Sequence, residues 1–155
     1  MSNKTSIKDI IESKGMYVSA PHGQSMWPLL RDKRDVACVV KPPRKIKKHD
    51  VVLYIRKSGQ YVLHRVIKIT DSGYVMCGDH QLVLEHGIKE EQIIGVLDSY
   101  YRGKRLYKCS GVSFKLYTFV WCLSLKLRKF LIKAVGFIER ILEERKGKKG
   151  KHEKV

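Results

Sequence analysis

The segment from Gly23 to Leu30 contains a serine whose neighbours suit nucleophilic chemistry. Ser25 lies between Gly23, which permits close backbone approach, and Pro28, which fixes the chain direction. A catalytic serine needs an exposed hydroxyl on a constrained turn, together with backbone N–H groups that can receive an oxyanion. The segment meets these requirements, although taken alone it would also fit a surface turn.

A histidine that could serve as the base for Ser25 lies further along the chain, in the segment Tyr61–Ile67. The β-branched and apolar residues of this segment predict a strand that carries His64. Histidine has an unperturbed pKa of about 6.5, so it can accept a proton at pH 7 without deep burial. An isolated strand histidine would more often be structural.

Two acidic residues that could orient His64 follow in the segment Cys77–Glu85. A buried carboxylate beside an imidazole holds its tautomer and stabilises the imidazolium that forms when the serine loses its proton. Asp79 and Glu85 are both candidates for this role. Asp79 could instead close a turn after Gly78.

The order of these three segments resembles the catalytic domain of signal peptidase I and of LexA-like self-cleaving proteins. Gly-x-Ser-Met-x-Pro is similar to their nucleophile motif, and His64-Arg65-Val66 looks like the base strand of the endoplasmic-reticulum type of signal peptidase. The resemblance covers residues 18–105 and implies a serine endopeptidase that cleaves a peptide precursor, leader or signal sequence. It implies Ser25 as nucleophile, His64 as general base and Asp79 or Glu85 as the orienting acid. Glu85 and His80 depart from the Asp and Asn of the family pattern.

The same motifs indicate which residues would shape the oxyanion hole and position the nucleophile: Gly23, Gln24, Met26, Pro28 and Arg65. Many bacterial members of the group have serine where this chain has Gly23, so the hole would depend on the Ser25 N–H and another backbone donor. No cofactor is expected. No metal is expected either, because the four cysteines are widely spaced and have no histidine partner at zinc-ligand spacing.

The elements that must position these residues follow from the hydrophobic pattern. Short β-rich runs separated by turn signals predict a compact, mostly antiparallel β domain over residues 18–110. Residues 1–17 predict a short amphipathic helix that ends at Gly15. The expected fold is therefore mainly β, with helical extensions at both ends.

The C-terminal part of the chain is strongly basic and helical in period. The net charge is +17, and residues 102–155 hold 16 Lys and Arg against 4 Glu. Residues 111–145 predict an amphipathic helix that either contacts an anionic membrane through residues 112–145 or packs on the β domain or on a partner. Its most apolar stretch, Leu116–Leu125, is shorter than the ~20 residues of a bilayer span. Residues 146–155 predict a disordered Lys-rich tail.

These features favour a peptidase that acts on a peptide or protein substrate. Only a short segment precedes Gly23, without the membrane anchor or DNA-binding domain typical of the group, so a cytoplasmic enzyme is expected, either free or peripheral at the inner face of the membrane. The alternative is a non-catalytic module of the same fold that binds anionic membrane or nucleic acid through its basic C-terminal region. Specific nucleic-acid recognition is not expected, because no helix-turn-helix, RNP or zinc-finger pattern is present.

Overall fold

A computed structural model describes the backbone of residues 6–123 and 125–152, and the side chains of residues 6–123 and 127–142. Within these limits the chain forms eight strands, one helix ahead of them and two helices after them. The prediction of a mainly antiparallel β fold with helical extensions is confirmed. In chain order the elements are α1 (Ile7–Lys14), β1 (Met16–Ser19), β2 (Asp35–Val40), β3 (Val51–Ile55), β4 (Tyr61–Thr70), β5 (Gly73–Cys77), β6 (Glu85–Ile88), a 3-10 turn (Glu90–Gln92), β7 (Ile93–Arg102), β8 (Arg105–Lys108), α2 (Val112–Cys122) and α3 (Leu125–His152).

Helix α1 has defined signals at both ends. The Ser6 and Asp9 side chains form a reciprocal capping box, and Gly15 ends the helix with a φ of +74° while its N–H donates to the Ile11 carbonyl. Ile11 is 1% exposed and packs in the main core. The helix is therefore fixed against the sheet rather than projecting from it.

The strands form one antiparallel sheet in the order β1-β2-β7-β3-β4-β5-β6, with β8 paired to β7. Successive side chains of a strand point to opposite faces, and β3 follows this rule. Val51 and Leu53 join a core cluster that includes Met26, whereas Val52 and Tyr54 join a second cluster with Val66, Tyr74 and Met76. The central strands are therefore covered on both faces.

The C-terminal helices pack against the β domain through a few buried side chains. Trp121 of α2 is 4% exposed and Arg128 of α3 is 1% exposed. The single helix predicted over residues 111–145 is instead two helices.

The prediction of disorder from residue 146 is also wrong for part of that segment, because α3 continues to His152. Lysine has a good helix propensity, so a Lys-rich segment can continue a helix. The rest of that predicted tail lies outside the described residues.

None of the helices in the described part of the chain is both long enough and apolar enough to cross a lipid bilayer.

Candidate functional site

Ser25 lies in a tight turn between β1 and β2. The Trp27 N–H donates to the Gln24 carbonyl at 3.0 Å, and the Leu30 N–H donates to the Met26 carbonyl at 2.9 Å. Met26 and Leu30 are buried in the main core and fix the turn from below, whereas Ser25 is only half-buried. The sequence therefore folds into an anchored turn with an accessible serine, as nucleophilic chemistry requires.

Ser25 and His64 line the same cavity, which has a volume of about 410 Å³. The other walls are mainly apolar and include Ile7 of α1, Tyr17 of β1 and Met26. The hydrogen bonds among the described residues do not include one between the Ser25 and His64 side chains. Catalytic hydrogen bonds are often long in a free enzyme and tighten when substrate binds. Ser25 and His64 are therefore related here by the cavity that they share and not by a direct hydrogen bond.

The β3–β4 pairing places a tyrosine beside His64. His64 pairs with Val52 across these strands, and Tyr54 lies two residues beyond Val52 on the same face. The Tyr54 hydroxyl is 3.2 Å from His64 Nδ1 and 2.8 Å from Glu85 Oε2. Glu85 is thereby connected to His64 through Tyr54.

The arrangement of donors and acceptors fixes the His64 tautomer. Glu85 also receives hydrogen bonds from Arg56, and these hold the pKa of its carboxyl below the usual value. An ionised carboxylate only accepts, so the single hydroxyl proton of Tyr54 goes to Glu85. The Tyr54 oxygen must then accept from Nδ1–H of His64, which leaves Nε2 with a free lone pair.

His64 is neutral in this environment at physiological pH. Its side chain is buried, and burial, followed by the positive charge of Arg56, lowers the pKa of His64 from 6.5 to about 4. The charges of Glu85 and Asp79 act in the opposite direction but are weaker. Burial and the hydrogen bond to Glu85 also raise the pKa of Tyr54, so its hydroxyl keeps its proton. The site therefore presents a neutral imidazole with an unprotonated Nε2.

Asp79 takes part in a different interaction. Its carboxylate forms a two-pronged ion pair with Arg65, at 2.8 and 2.7 Å, and both side chains are fully buried. The Tyr117 hydroxyl donates to the same carboxylate at 2.8 Å, and the Arg65 guanidinium lies over the Phe114 ring. Of the two acids proposed from sequence, Glu85 is thus connected to His64 by one intervening residue, whereas Asp79 is paired with Arg65.

The backbone around Asp79 holds the Ser25 turn in place. The His80 N–H donates to the Ser25 carbonyl at 2.9 Å, and the His80 ring packs edge-on against Trp27. A Cβ atom at Gly78 would lie 2.5 Å from that same carbonyl oxygen. Glycine at this position therefore allows the Gly78–His80 segment to approach the Ser25 turn closely.

The helices α2 and α3 in turn hold this segment. The Trp121 indole N–H donates to the Asp79 carbonyl at 2.9 Å, and Arg128 donates to the Gly78 carbonyl at 3.2 Å. Arg31, just beyond the Ser25 turn, forms an ion pair with Glu139 of α3. The C-terminal helices thus support both segments that meet at Ser25.

The remaining predicted positioning residues divide into two groups. Gly23, with a φ of +78°, and the buried Met26 line the cavity that Ser25 shares with His64. Gln24 is exposed and lines a separate cavity beside Trp27 and His80, while Pro28 lines another cavity against α2. Arg65 contacts Asp79 rather than the shared cavity.

Tyr54 and Arg56 are the residues of this site that the sequence analysis missed. Tyr54 lies in β3 and Arg56 directly follows it. The pairing of β3 with β4 brings Tyr54 to His64, and the further pairings of β4 with β5 and of β5 with β6 bring Glu85 to the same site. The two acids and the histidine do not form a metal site, since no group of three metal-binding side chains comes together among the described residues. The four cysteines have free thiols.

No family model, curated protein or solved structure matches this chain.

Proposed function

We propose that this protein is a serine endopeptidase, similar in its site to the signal peptidases, with Ser25 as nucleophile and His64 as general base. The observation that supports this most strongly is the neutral, tautomer-fixed His64 in the same cavity as the half-buried Ser25. A serine hydroxyl becomes a nucleophile only when a neighbouring base removes its proton.

In the proposed reaction, Ser25 Oγ attacks a peptide carbonyl carbon while His64 Nε2 takes the hydroxyl proton. The imidazolium that results is stabilised through Tyr54 by the carboxylate of Glu85. His64 then gives the proton to the leaving amine as the peptide C–N bond breaks. Water next attacks the acyl carbon while His64 Nε2 takes its proton, and His64 returns that proton to Ser25 Oγ as the ester bond breaks. The Ser25 N–H donates to no partner in the described part of the chain, so it is available for the oxyanion.

The surroundings of the cavity favour an extended peptide as substrate. Strand β1 is an edge strand of the sheet, and its residues Tyr17 and Ser19 line the cavity. An extended chain can add to such an edge by main-chain hydrogen bonds. The apolar walls supplied by Met26, Leu53 and Leu63 would receive an apolar side chain next to the scissile bond.

A cleavage assay with a peptide library tests this proposal. Wild-type protein and the Ser25→Ala and His64→Ala variants are incubated with a mixture of peptides, and mass spectrometry identifies the products. We expect cleavage by wild type next to apolar residues and a fall of at least about 10³-fold in kcat/KM for both variants. Cleavage that persists in both variants would contradict the mechanism, and so would the absence of any cleavage by wild type.

A further inference from the structure

The helices α2 and α3 leave a row of large apolar side chains in contact with solvent. We call this row the C-terminal apolar face, and its residues are Leu116, Phe119, Leu123, Leu127, Phe130 and Phe137. The three phenylalanines are 63–68% exposed. The spacings of the six residues, which are three, four or seven positions, place them on one side of each helix.

The opposite side of both helices faces the β domain. Trp121 of α2 and Arg128 of α3 reach the same short segment, Gly78–Asp79, although they belong to different helices. The two helices therefore present one common side to the domain. The exposed parts of the C-terminal apolar face lie on the other side of the helices, and Leu116, Phe119 and Leu123 also line clefts that the helices form with the β domain.

Positive charges accompany this face on α3. Lys129, Lys133 and Arg140 are exposed. Lys133 follows Phe130 by three residues and precedes Phe137 by four, so the three side chains are neighbours on the helix surface. Aromatic and cationic side chains thus occur side by side.

A second group of cations reaches the same face from a distant part of the chain. The loop that precedes β3 supplies Arg44 and Lys48 to a cavity of about 660 Å³ that is also lined by Phe119 and Leu123 of the apolar face. Lys115 of α2 lines this cavity too. Arg44 is paired with Asp50, but Lys48 and Lys115 are exposed. The fold therefore brings positive charge to the apolar face from two unrelated segments.

We propose that the C-terminal apolar face docks on an anionic phospholipid bilayer. Its apolar side chains would enter the boundary between headgroups and acyl chains, and the adjacent lysines would contact the lipid phosphates. Charge complementarity distinguishes this occupant from a second copy of the chain, because a pair of these faces would bring Lys129, Lys133 and Arg140 close to their own counterparts.

Docking in this orientation would hold the peptidase site near the membrane. The helices would separate the bilayer from the Gly78–His80 segment by about one helix diameter, ~10–12 Å. The His80 N–H donates to the carbonyl of Ser25, so the Ser25 turn is adjacent to that segment. A peptide anchored in or emerging from the membrane would then be within reach.

Vesicle flotation tests the proposal without using peptidase activity. The full chain is mixed with vesicles of phosphatidylcholine alone or with about 30% phosphatidylglycerol. The test variant is Phe119→Gln with Phe130→Gln, which removes two exposed aromatic rings and leaves the charge unchanged. The matched control is Ile69→Gln with Val83→Gln, since both side chains are exposed and lie outside α2 and α3. Circular dichroism verifies the fold of each protein.

We expect wild type to bind the anionic vesicles at least about tenfold more tightly than the neutral ones, with the control variant unchanged. The Phe119→Gln, Phe130→Gln variant should lose about tenfold or more of that affinity. Equal binding to both vesicle types, no binding, or binding that the test variant retains would each overturn the proposal. Displacement from the vesicles by a lower concentration of single-stranded RNA than of anionic lipid would also overturn it, by assigning the cations to nucleic acid.

Discussion

The Tyr54 hydroxyl lies between His64 and Glu85, 3.2 Å from the imidazole Nδ1 and 2.8 Å from a carboxylate oxygen. Tyr54 is fully buried, so neither hydrogen bond is exchanged for one with water. In a Ser-His-Asp site the carboxylate contacts the imidazole directly. In the proposed site, Tyr54 would transmit the orienting effect of Glu85 to His64.

Replacement of Tyr54 by phenylalanine should reduce catalysis far more than it reduces stability. Without the hydroxyl, His64 Nδ1–H has no acceptor, so the tautomer with an unprotonated Nε2 is no longer stabilised by a hydrogen bond. We expect kcat/KM for peptide cleavage to fall by ~10² or more, since loss of the orienting carboxylate in a Ser-His-Asp site costs up to ~10⁴. The control is Tyr74→Phe, because Tyr74 is buried in the same cluster but its hydroxyl has no hydrogen bond in the described region. Equal rates for the two variants would contradict the role of Tyr54.

The pH dependence of cleavage should reflect the lowered pKa of His64. In the proposed mechanism His64 must be neutral to accept the Ser25 proton, so kcat/KM should rise with pH to a plateau that begins above about pH 4 rather than above 6.5. The positive charge of Arg56 contributes to this lowering, and Arg56→Met should raise the pKa of His64 and move the acid limb to higher pH. Lys57→Met removes an exposed charge from the adjacent position and is the control. An acid limb that stays in place in Arg56→Met would contradict this electrostatic account.

The two acids should have separable effects. Asp79→Asn leaves Arg65 buried without its partner charge, and breaking such a pair costs about 3–5 kcal/mol, so the free energy of unfolding should fall by about that amount. Glu85→Gln should change stability less, because the pair of Glu85 with Arg56 is partly exposed.

Glu85→Gln should instead affect the titration of His64. The Glu85 charge raises the pKa of His64, so its removal should move the acid limb of kcat/KM to lower pH and reduce the rate on the plateau. Chemical denaturation and pH–rate profiles measure the two effects. A stable Asp79→Asn protein with the catalytic defect expected of Glu85→Gln would identify Asp79 as the orienting acid.

Gly78→Ala should displace the nucleophile. The new methyl group would lie 2.5 Å from the Ser25 carbonyl oxygen, so the Ser25 turn or the Gly78–His80 segment must shift. A displacement of ~1 Å can cost about 10²-fold in rate, and we expect a fall of that order in kcat/KM. Gly136→Ala, in α3, is the control, because a Cβ there meets no atom within 4 Å. Equal activity in both alanine variants would show that the turn adjusts without affecting Ser25.

The sequence predicts those features that depend on local pattern. The β-branched and apolar residues of Tyr61–Ile67 identify the strand of His64, and Gly23 and Pro28 enclose the turn of Ser25. The pattern does not predict Tyr54, because alternation indicates which side chains share a face of one strand but not which strand lies alongside, or in what register. The buried Arg128 is even less predictable, since the other α3 cations whose side chains are described, Lys129, Lys133 and Arg140, are exposed. Arg128 is also 50 residues from its acceptor at Gly78.

Covalent labelling distinguishes an activated Ser25 from an ordinary accessible serine. Wild type is treated with a fluorophosphonate reagent that reacts with activated serines, and the modified residue is located by peptide mass spectrometry. Ser19 lines the same cavity, so Ser19→Ala is a matched control for Ser25→Ala. We expect modification at Ser25 in wild type and in Ser19→Ala, none in Ser25→Ala, and a rate reduced by at least about 10²-fold in His64→Ala. Modification at Ser19, or labelling of Ser25 at an unchanged rate in His64→Ala, would contradict the assignment of a Ser25–His64 site.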